Sequence, residues 1–334
     1  LKVLRASRAR WCRWVEDVMT DPLQTQAAEI SHALHSEVNA RPQADCMLLI
    51  DTVPRPISED DALWEGYSQS DNVRVKLAHP KIDPAHYPAL LPLSITKFKD
   101  SLFLEQSVLS ALEELPSEIL RTGTGRRIAG WLTSSEPISK VARHLASSML
   151  QYSTLRGGVA WLRLQDPAVL WWLWSLLSPV QRKALLGPIE IFWLLNPAGR
   201  LIELRAESVE AKDAQAVLAL SSEQWKDVAC IAPLNLAIRE WGQAQVVGAR
   251  FDSLCASALA AVRRACAAGF TDQRDLAAYA RCALEIHPEF DLHALVRARL
   301  AQRGEDDYFT SLIDDLEEQD WQRIANESSV TAVD

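Results

Sequence analysis

Nucleophilic catalysis needs a Ser or Cys beside a base, and the chain contains no G-x-S-x-G elbow. Its six cysteines, at 12, 46, 230, 255, 266 and 282, form no C-x-x-C pair. They read as reduced thiols, mostly small core fillers. His32 and His35 stand three apart on one expected helix, a spacing that can bring two imidazoles together. No H-E-x-x-H motif and no third ligand accompany them, so they read as surface histidines. The remaining histidines are scattered. No catalytic residue, metal site or cofactor is expected. Arg121-Thr-Gly-Thr-Gly-Arg-Arg127 has glycines that let backbone N–H groups approach an anion, and arginines to supply charge. It leads into an expected strand, whereas a phosphate loop leaves a strand and opens a helix, so it reads as an exposed turn. The acid pairs Asp306/Asp307, Asp314/Asp315 and Glu317/Glu318 read as the solvated face of a helix lined by Tyr308, Phe309, Leu312, Ile313 and Leu316. Two carboxyls flanking a pocket, as glycosidases need, are not indicated.

The most informative chemistry is apolar. Between Val159 and Leu177 the chain carries Trp161, Trp171, Trp172 and Trp174. Strand alternation puts Val159, Trp161 and Arg163 on one face and Ala160, Leu162 and Leu164 on the other. Asp166 and Pro167 form a cap-plus-proline start for the helix that follows. In that helix Leu170, Leu173, Trp174 and Leu177 make a core stripe, which leaves Trp171, Trp172 and Leu176 on the remaining surface. A helix apolar nearly all round is either buried or faces a partner. Both readings stay open, and the second makes Trp161, Arg163, Trp171, Trp172 and Leu176 candidate partner-binding residues.

Several elements must position these groups. Leu4, Trp11, Trp14, Val15 and Val18 recur at helical spacing, and Asp21-Pro22 caps a second helix with the stripe Leu23, Ala27, Ile30, Leu34 and Val38. Cys46 to Ile50 reads as a buried strand. Ser58 opens a short helix, and the alternating sets Val73/Val75/Leu77 and Leu91/Leu93/Ile95 read as strands. A helix runs through Leu102, Leu109 and Leu112, followed by a strand from Arg127 to Leu132. Ser135 is expected to cap a helix bearing Ile138, Val141, Leu145 and Met149. Val159 to Leu164 is the next strand. Ser178-Pro179 starts a helix that Gly187 ends. Ile189–Leu195 and Leu201–Leu204 flank Asn-Pro-Ala-Gly as a hairpin. Beyond about 208 only helical signals remain: a capping box at Ser221 and Gln224, helices over 249–268, 271–286 and 291–304, and the acidic last helix. The expected fold is α+β, with a mixed, largely antiparallel sheet packed with helices, followed by an all-α lobe. The expected divisions are an N-terminal helical extension over 1–44, an α/β lobe over 45–207 and a helical lobe with an acidic tail over 208–334.

The 334 residues suffice for two domains without a disulfide or metal staple. Trp is unusually common, with 12 copies against five Tyr and seven Phe. The net charge of −9 sits entirely in residues 305–334, while the first thirteen residues hold Lys2, Arg5, Arg8, Arg10 and Arg13 and no acid. An acidic balance argues against general nucleic-acid binding. The longest apolar run, Val169 to Leu177, is far short of the roughly 20 residues a membrane span needs. With no secretory h-region after the basic start, the expected location is the bacterial cytoplasm.

The run Gly130-Trp-Leu-Thr-Ser-Ser135, Arg143-His-Leu145, Trp161-Leu-Arg-Leu-Gln-Asp166-Pro167, Ala168-Val-Leu170, Leu177-Ser-Pro-Val-Gln-Arg182 and Leu186-Gly-Pro-Ile189 form a block in fixed order. Together with the strand Cys46–Asp51 and Ser221 to Trp225, it resembles the "domain of unknown function 4123" family of bacterial type VI secretion effector chaperones and adaptors. The resemblance covers about 45–230. The family commonly has aromatic residues on both sides of the Arg before Asp-Pro, and here Leu162 and Leu164 flank Arg163. The resemblance implies a non-catalytic protein that binds a secreted effector toxin in the cytosol and helps mount it on the spike protein of the secretion machine. The alternatives are an immunity protein that neutralises a toxin, and an enzyme with a site near Arg126, Arg127 and Arg163.

Overall fold

The computed structural model describes residues 21–94, 97–121, 126–207, 217–241, 249–304 and 307–331. The expected first helix over 4–18 and the Thr-Gly-Thr-Gly turn lie outside these residues. In chain order the elements begin with α1 (Pro22–Asn39), β1 (Asp45–Ile50), α2 (Trp64–Ser68), β2 (Val73–Arg74) and β3 (Ala89–Leu93). They continue through α3 (Phe98–Glu113), α4 (Ser117–Arg121), β4 (Ile128–Ser134), α5 (Ile138–Met149), β5 (Leu150–Ser153) and β6 (Gly158–Trp161). Then come α6 (Pro167–Leu176), α7 (Pro179–Leu186), β7 (Ile191–Leu195), β8 (Leu201–Leu204) and α8 (Ser222–Glu240). The last are α9 (Ala249–Ala267), α10 (Gln273–Glu285), α11 (Ala294–Ala301), α12 (Phe309–Leu312) and α13 (Glu318–Thr331). The fold is α+β.

The chain forms two compact units. The first holds residues 1–150, 162–167 and 178–218, and the second 151–161, 168–177 and 219–334. This division runs differently from sequence boundaries at 44/45 and 207/208, because two short middle segments are counted with the helical unit.

The first unit is built on a six-stranded sheet in the order β2-β3-β1-β4-β7-β8. Every neighbouring pair in it is antiparallel. Alternate residues of its strands enter one core with α1 and α3: Leu48 and Ile50, Leu91 and Leu93, Trp131, and Trp193 and Leu195 pack with Ile30, Leu34, Phe103 and Val108. Helix α5 packs against β2 and β3. Strand β4 is buried along its whole length, and β1 from Cys46 onward. This explains why Cys46–Ile50 is a continuous apolar run, since a strand covered on both faces needs no polar alternation.

Local chemistry sets the ends of these elements. Asp21 Oδ1 accepts from Leu23 N at 3.0 Å, and Pro22 takes the first helical position of α1. The hairpin β7–β8 pairs Leu195 with Leu201, and Asn196 Oδ1 accepts from both Ala198 N and Arg200 N across its loop. Gly130 sits at φ 152°, and a Cβ there would lie 2.2 Å from the Trp193 carbonyl oxygen. Only glycine lets β7 approach β4 this closely.

Several expectations are corrected. Strand pairing at β2 stops at Arg74, although Val75 N still donates to Pro88 O at 2.8 Å. Strand β3 ends at Leu93 and buries four of its five residues instead of alternating, because α1, α3 and α5 all pack near it. Ile95 lies outside the described residues. Helix α2 starts at Trp64, with Ser58 in the turn before it. The residue before α5 is Pro137, not Ser135; the hydroxyl that accepts a backbone N–H there is Ser134 Oγ, from Glu136 N.

In the second unit β5 and β6 form a separate two-stranded sheet. Strand β6 ends at Trp161, so the expected strand to Leu164 is shorter than its apolar pattern. Helix α8 opens with the Ser221–Gln224 capping box and packs against α9 and α10. A cluster of Phe270, Tyr279, Phe290 and Phe309 has ring centroids 4.6 to 6.2 Å apart. Arg264 holds the buried Asp291 carboxylate through two bonds of 2.7 and 2.6 Å. Asp291 is therefore committed inside the unit, and α11 starts at Ala294 with His293 as its cap, not at Asp291. The acidic C-terminal stretch is not one helix. It breaks after Leu312, and Asp315 lies between α12 and α13, paired with Arg299 at 2.8 Å. Phe309 is buried, while its neighbour Tyr308, the residue before the helix, is exposed.

Candidate functional site

The tryptophan segment lies in the second unit. Trp172 is 3% exposed, and its indole N–H donates to Asn235 Oδ1 at 3.0 Å. A buried indole needs such a partner, and α8 supplies it. Trp172 is a core residue, which corrects its expected place on the surface. Trp171 is half-buried, with its ring centroid 4.7 Å from Trp172 and 5.9 Å from Phe251. Phe251 in turn stacks on Trp241 at 6.4 Å. Leu176 is half-buried, and its carbonyl accepts from Gln224 Nε2 at 2.9 Å. Helix α6 is apolar nearly all round because α8 and α9 of its own unit contribute the groups it packs on.

The hairpin β5–β6 presents the more open apolar face. Tyr152 is 65% exposed, Leu155 55% and Val159 54%. Gln151, Ser153 and Ala160, the alternate residues, are buried. Trp161, two residues after Val159 and so on the same strand face, is half-buried. The expected alternation of Val159 and Trp161 against Ala160 thus describes this strand. Tyr152 and Leu155 were not among the sequence candidates. Their signal was the polar–apolar alternation of Gln151 to Ser153, which is too short to stand out.

Arg163 lies in the first unit, within a network of charges. Its Nη2 is 3.2 Å from Asp51 Oδ2, and Asp51 is buried at the end of β1. The Asp51 N–H donates to the Arg127 carbonyl at 2.7 Å. Arg127 itself is 1% exposed. Its Nε donates to Glu114 Oε1 and its Nη1 to Asp61 Oδ2, each at 2.5 Å. The Arg127 backbone N–H also donates to Glu114 Oε2 at 2.7 Å. Arg55 approaches the same two carboxylates, and Arg126 stands 3.6 Å from Asp166. Burial opposes the charge on Asp61, but the Leu63 N–H and Arg127 outweigh it and hold its carboxyl below the usual aspartate value. Burial likewise opposes the Arg127 charge, and Glu114 and Asp61 overcome it. Each of Arg126, Arg127 and Arg163 thus meets a carboxylate. Chemically this network ties the start of β4 to β1, α3 and the turn before α2.

Helix α6 begins at Pro167, directly after Asp166. Ser178 and Gln181 form a reciprocal capping box, and Gly187 ends α7 at φ 56°. His144 Nε2 lies 2.8 Å from the Leu185 carbonyl, beside Gly187. Burial lowers the His144 pKa, against the opposing effect of that hydrogen bond.

Among the described residues, no group of three or more His, Cys, Asp or Glu side chains is placed to hold a metal ion. Burial raises the thiol pKa of Cys46 to about 12, keeping it protonated. No helix among the described residues is long and apolar enough to cross a membrane. No curated protein and no solved structure matches the chain. A family profile does match, across β3 to β4, the exposed hairpin and the tryptophan helix: residues 84–184 match the family described as "Domain of unknown function (DUF4123)", the family whose motifs the sequence resembles.

Proposed function

We propose that this protein is a non-catalytic adaptor that binds a type VI secretion effector in the bacterial cytoplasm and helps load it onto the spike protein. The family match over residues 84–184 carries the reading, because that family is associated with effector adaptors of this secretion system. The matched span contains Tyr152, Leu155 and Val159, an exposed apolar face of the kind that holds a protein partner, with the partly buried Trp161 beside it. Trp161 is the central contact, and Trp171 and Leu176 add half-buried apolar surface of the same unit. Trp172 supports them from the core. Arg163, half-exposed on the buried Asp51, offers a charged contact from the first unit.

The test is co-purification with secreted effector toxins of the same bacterium, together with a secretion assay. Trp161→Ala is expected to weaken the complex by about 2 kcal/mol, roughly thirtyfold. Tyr152→Asp with Val159→Asp is expected to abolish capture and toxin export while the variant still melts cooperatively. Full capture and export by both variants would refute this assignment of the surface. Protection of cells against the toxin domain alone, with export unaffected, would instead establish an immunity protein.

A further inference from the structure

Of the five cysteines among the described residues, Cys46, Cys230, Cys255 and Cys282 are buried and Cys266 is exposed. Cys230 lies in the middle of α8 and Cys266 in the last turn of α9, and these two helices pack together. An ion pair pins them one turn before each cysteine: Arg263 Nε and Nη2 donate to Asp227 Oδ1 and Oδ2 at 2.7 and 2.8 Å. Three residues on from Asp227, the Cys230 thiol donates to the Lys226 carbonyl at 3.3 Å. Three residues on from Arg263, Cys266 meets it from α9, thiol to thiol, in a side-chain hydrogen bond. The two sulfurs differ in their surroundings. Burial, then the Cys266 sulfur and the Asp227 carboxylate, raise the Cys230 pKa to about 12 against the pull of Arg263. Cys230 therefore keeps its proton away from solvent, whereas Cys266 is open to reagents.

We propose that Cys230 and Cys266 form an oxidisable pair, which hydrogen peroxide closes into a disulfide that staples α8 to α9. The exposed Cys266 sulfur, as the thiolate, attacks one peroxide oxygen. The O–O bond breaks, Cys266 becomes a sulfenic acid, and the second oxygen leaves as hydroxide, which takes up the proton that Cys266 released. The Cys230 sulfur then attacks the Cys266 sulfur. An S–S bond forms, the S–O bond breaks, and the hydroxyl leaves with the Cys230 proton as water. Two thiols are oxidised to one disulfide, and one hydrogen peroxide is reduced to two waters. The site favours the second step. A sulfenic acid is neutral, so the repulsion that held the proton on Cys230 falls away while Arg263 remains beside it. Both stapled helices support the tryptophan helix: α8 carries Asn235 and Gln224, which hold Trp172 and the Leu176 carbonyl, and α9 carries Phe251, which packs on Trp171. A disulfide between positions 230 and 266 fixes these supports to each other and restricts the unfolded chain, so the helical unit gains stability.

The test treats the full chain with hydrogen peroxide at low protein concentration, blocks the remaining thiols with iodoacetamide, and maps linked peptides by mass spectrometry without reductant. The expected main product is an intramolecular link between positions 230 and 266 that dithiothreitol opens. Its urea midpoint should lie above that of the reduced protein. Cys266→Ser, an exposed substitution, should lose both the link and the midpoint shift. Cys230→Ala should leave Cys266 as a sulfenic acid, captured by dimedone. Should that buried substitution unfold the protein, the order of attack is read from the wild type, where dimedone present during oxidation should label Cys266 and not Cys230. The proposal is overturned if no link joins 230 to 266, whether Cys266 stays unreacted or goes on to a sulfinic acid. A link from Cys266 chiefly to Cys12 or to another chain, dimedone on Cys230, or a linked protein with a lower urea midpoint would overturn it equally.

Discussion

Arg127 and Glu114 form two hydrogen bonds with one another, through the arginine Nε and its own backbone N–H, and neither side chain is more than 3% exposed. The pair anchors the first residues of β4 on the last turn of α3. Removing one partner strands a buried charge. Glu114→Ala is therefore expected to cost about 3–5 kcal/mol, measured as a lower urea midpoint. Replacing both, as Arg127→Met with Glu114→Leu, should recover part of that loss, since the buried pair goes together and Asp61 keeps Arg55 at 3.7 Å. A double variant as unstable as Glu114→Ala would show that the network does more than compensate itself.

Asp61 completes this network, and its folded pKa is depressed below the ordinary value of 3.8. A depressed folded pKa contributes stability above the unfolded value and loses it as pH falls through the folded one. The wild-type protein is expected to lose stability below pH 3.8 more steeply than Asp61→Asn, read from denaturation midpoints across pH. Parallel curves for the two proteins would contradict the pairing.

His144 has the opposite chemistry. Its folded pKa lies below the ordinary 6.5, so the unfolded chain takes up a proton first as pH falls. Stability should be flat above pH 7 and decline below 6.5, and His144→Gln should flatten that decline while keeping a donor for the Leu185 carbonyl. An unchanged slope in the variant would place the titration elsewhere.

Gly187 shares this corner. Its φ is 56°, and a Cβ would stand 2.2 Å from the His144 Cε1. Gly187→Ala is expected to cost about 1–3 kcal/mol through backbone strain and overpacking. Adding His144→Ala should return the overpacking part and leave the strain, so the double-mutant cycle should show a coupling above about 0.5 kcal/mol.

Trp172 separates packing from recognition. Trp172→Ala should lower stability by about 3–5 kcal/mol. Trp172→Phe keeps most of the apolar body but leaves Asn235 without its donor, at a cost of about 1–3 kcal/mol. Trp161→Ala should cost less stability, because that ring is only partly buried. Equal losses at positions 161 and 172 would mean that the hairpin face is core.

Where a few neighbouring residues decide local structure, the sequence was legible. Asp21-Pro22, Ser178-Pro179, the Ser221–Gln224 box, Gly187 and the Asn196 hairpin loop all act where their types predict. Cys46–Ile50 was readable as buried because five apolar residues in a row, closed off by Asp51 and two prolines, suit a strand covered on both sides. The Arg127 network was not readable. Its partners lie 13 and 66 residues away, and nothing in a linear pattern pairs Arg127 with Asp61. The tryptophan helix was ambiguous for a related reason. Its all-round apolarity fits a core or an interface, and only Asn235, 63 residues on, decides for Trp172. The acidic end misled because its spacing suits one helix, while Asp275, accepting from Phe309 N and Thr310 N, starts a separate short one.

The second unit takes residues 151–161 and 168–177 from the middle of the chain. No single cut can therefore release either unit whole. A truncation after 207 would retain the hairpin and tryptophan helix but discard Asn235, Phe251 and Gln224, stranding four apolar rings in a fragment prone to aggregate. During synthesis the ribosome must deliver the chain to beyond Phe251 before the middle segments find these neighbours, so their apolar rings stay uncovered while the helical unit is made.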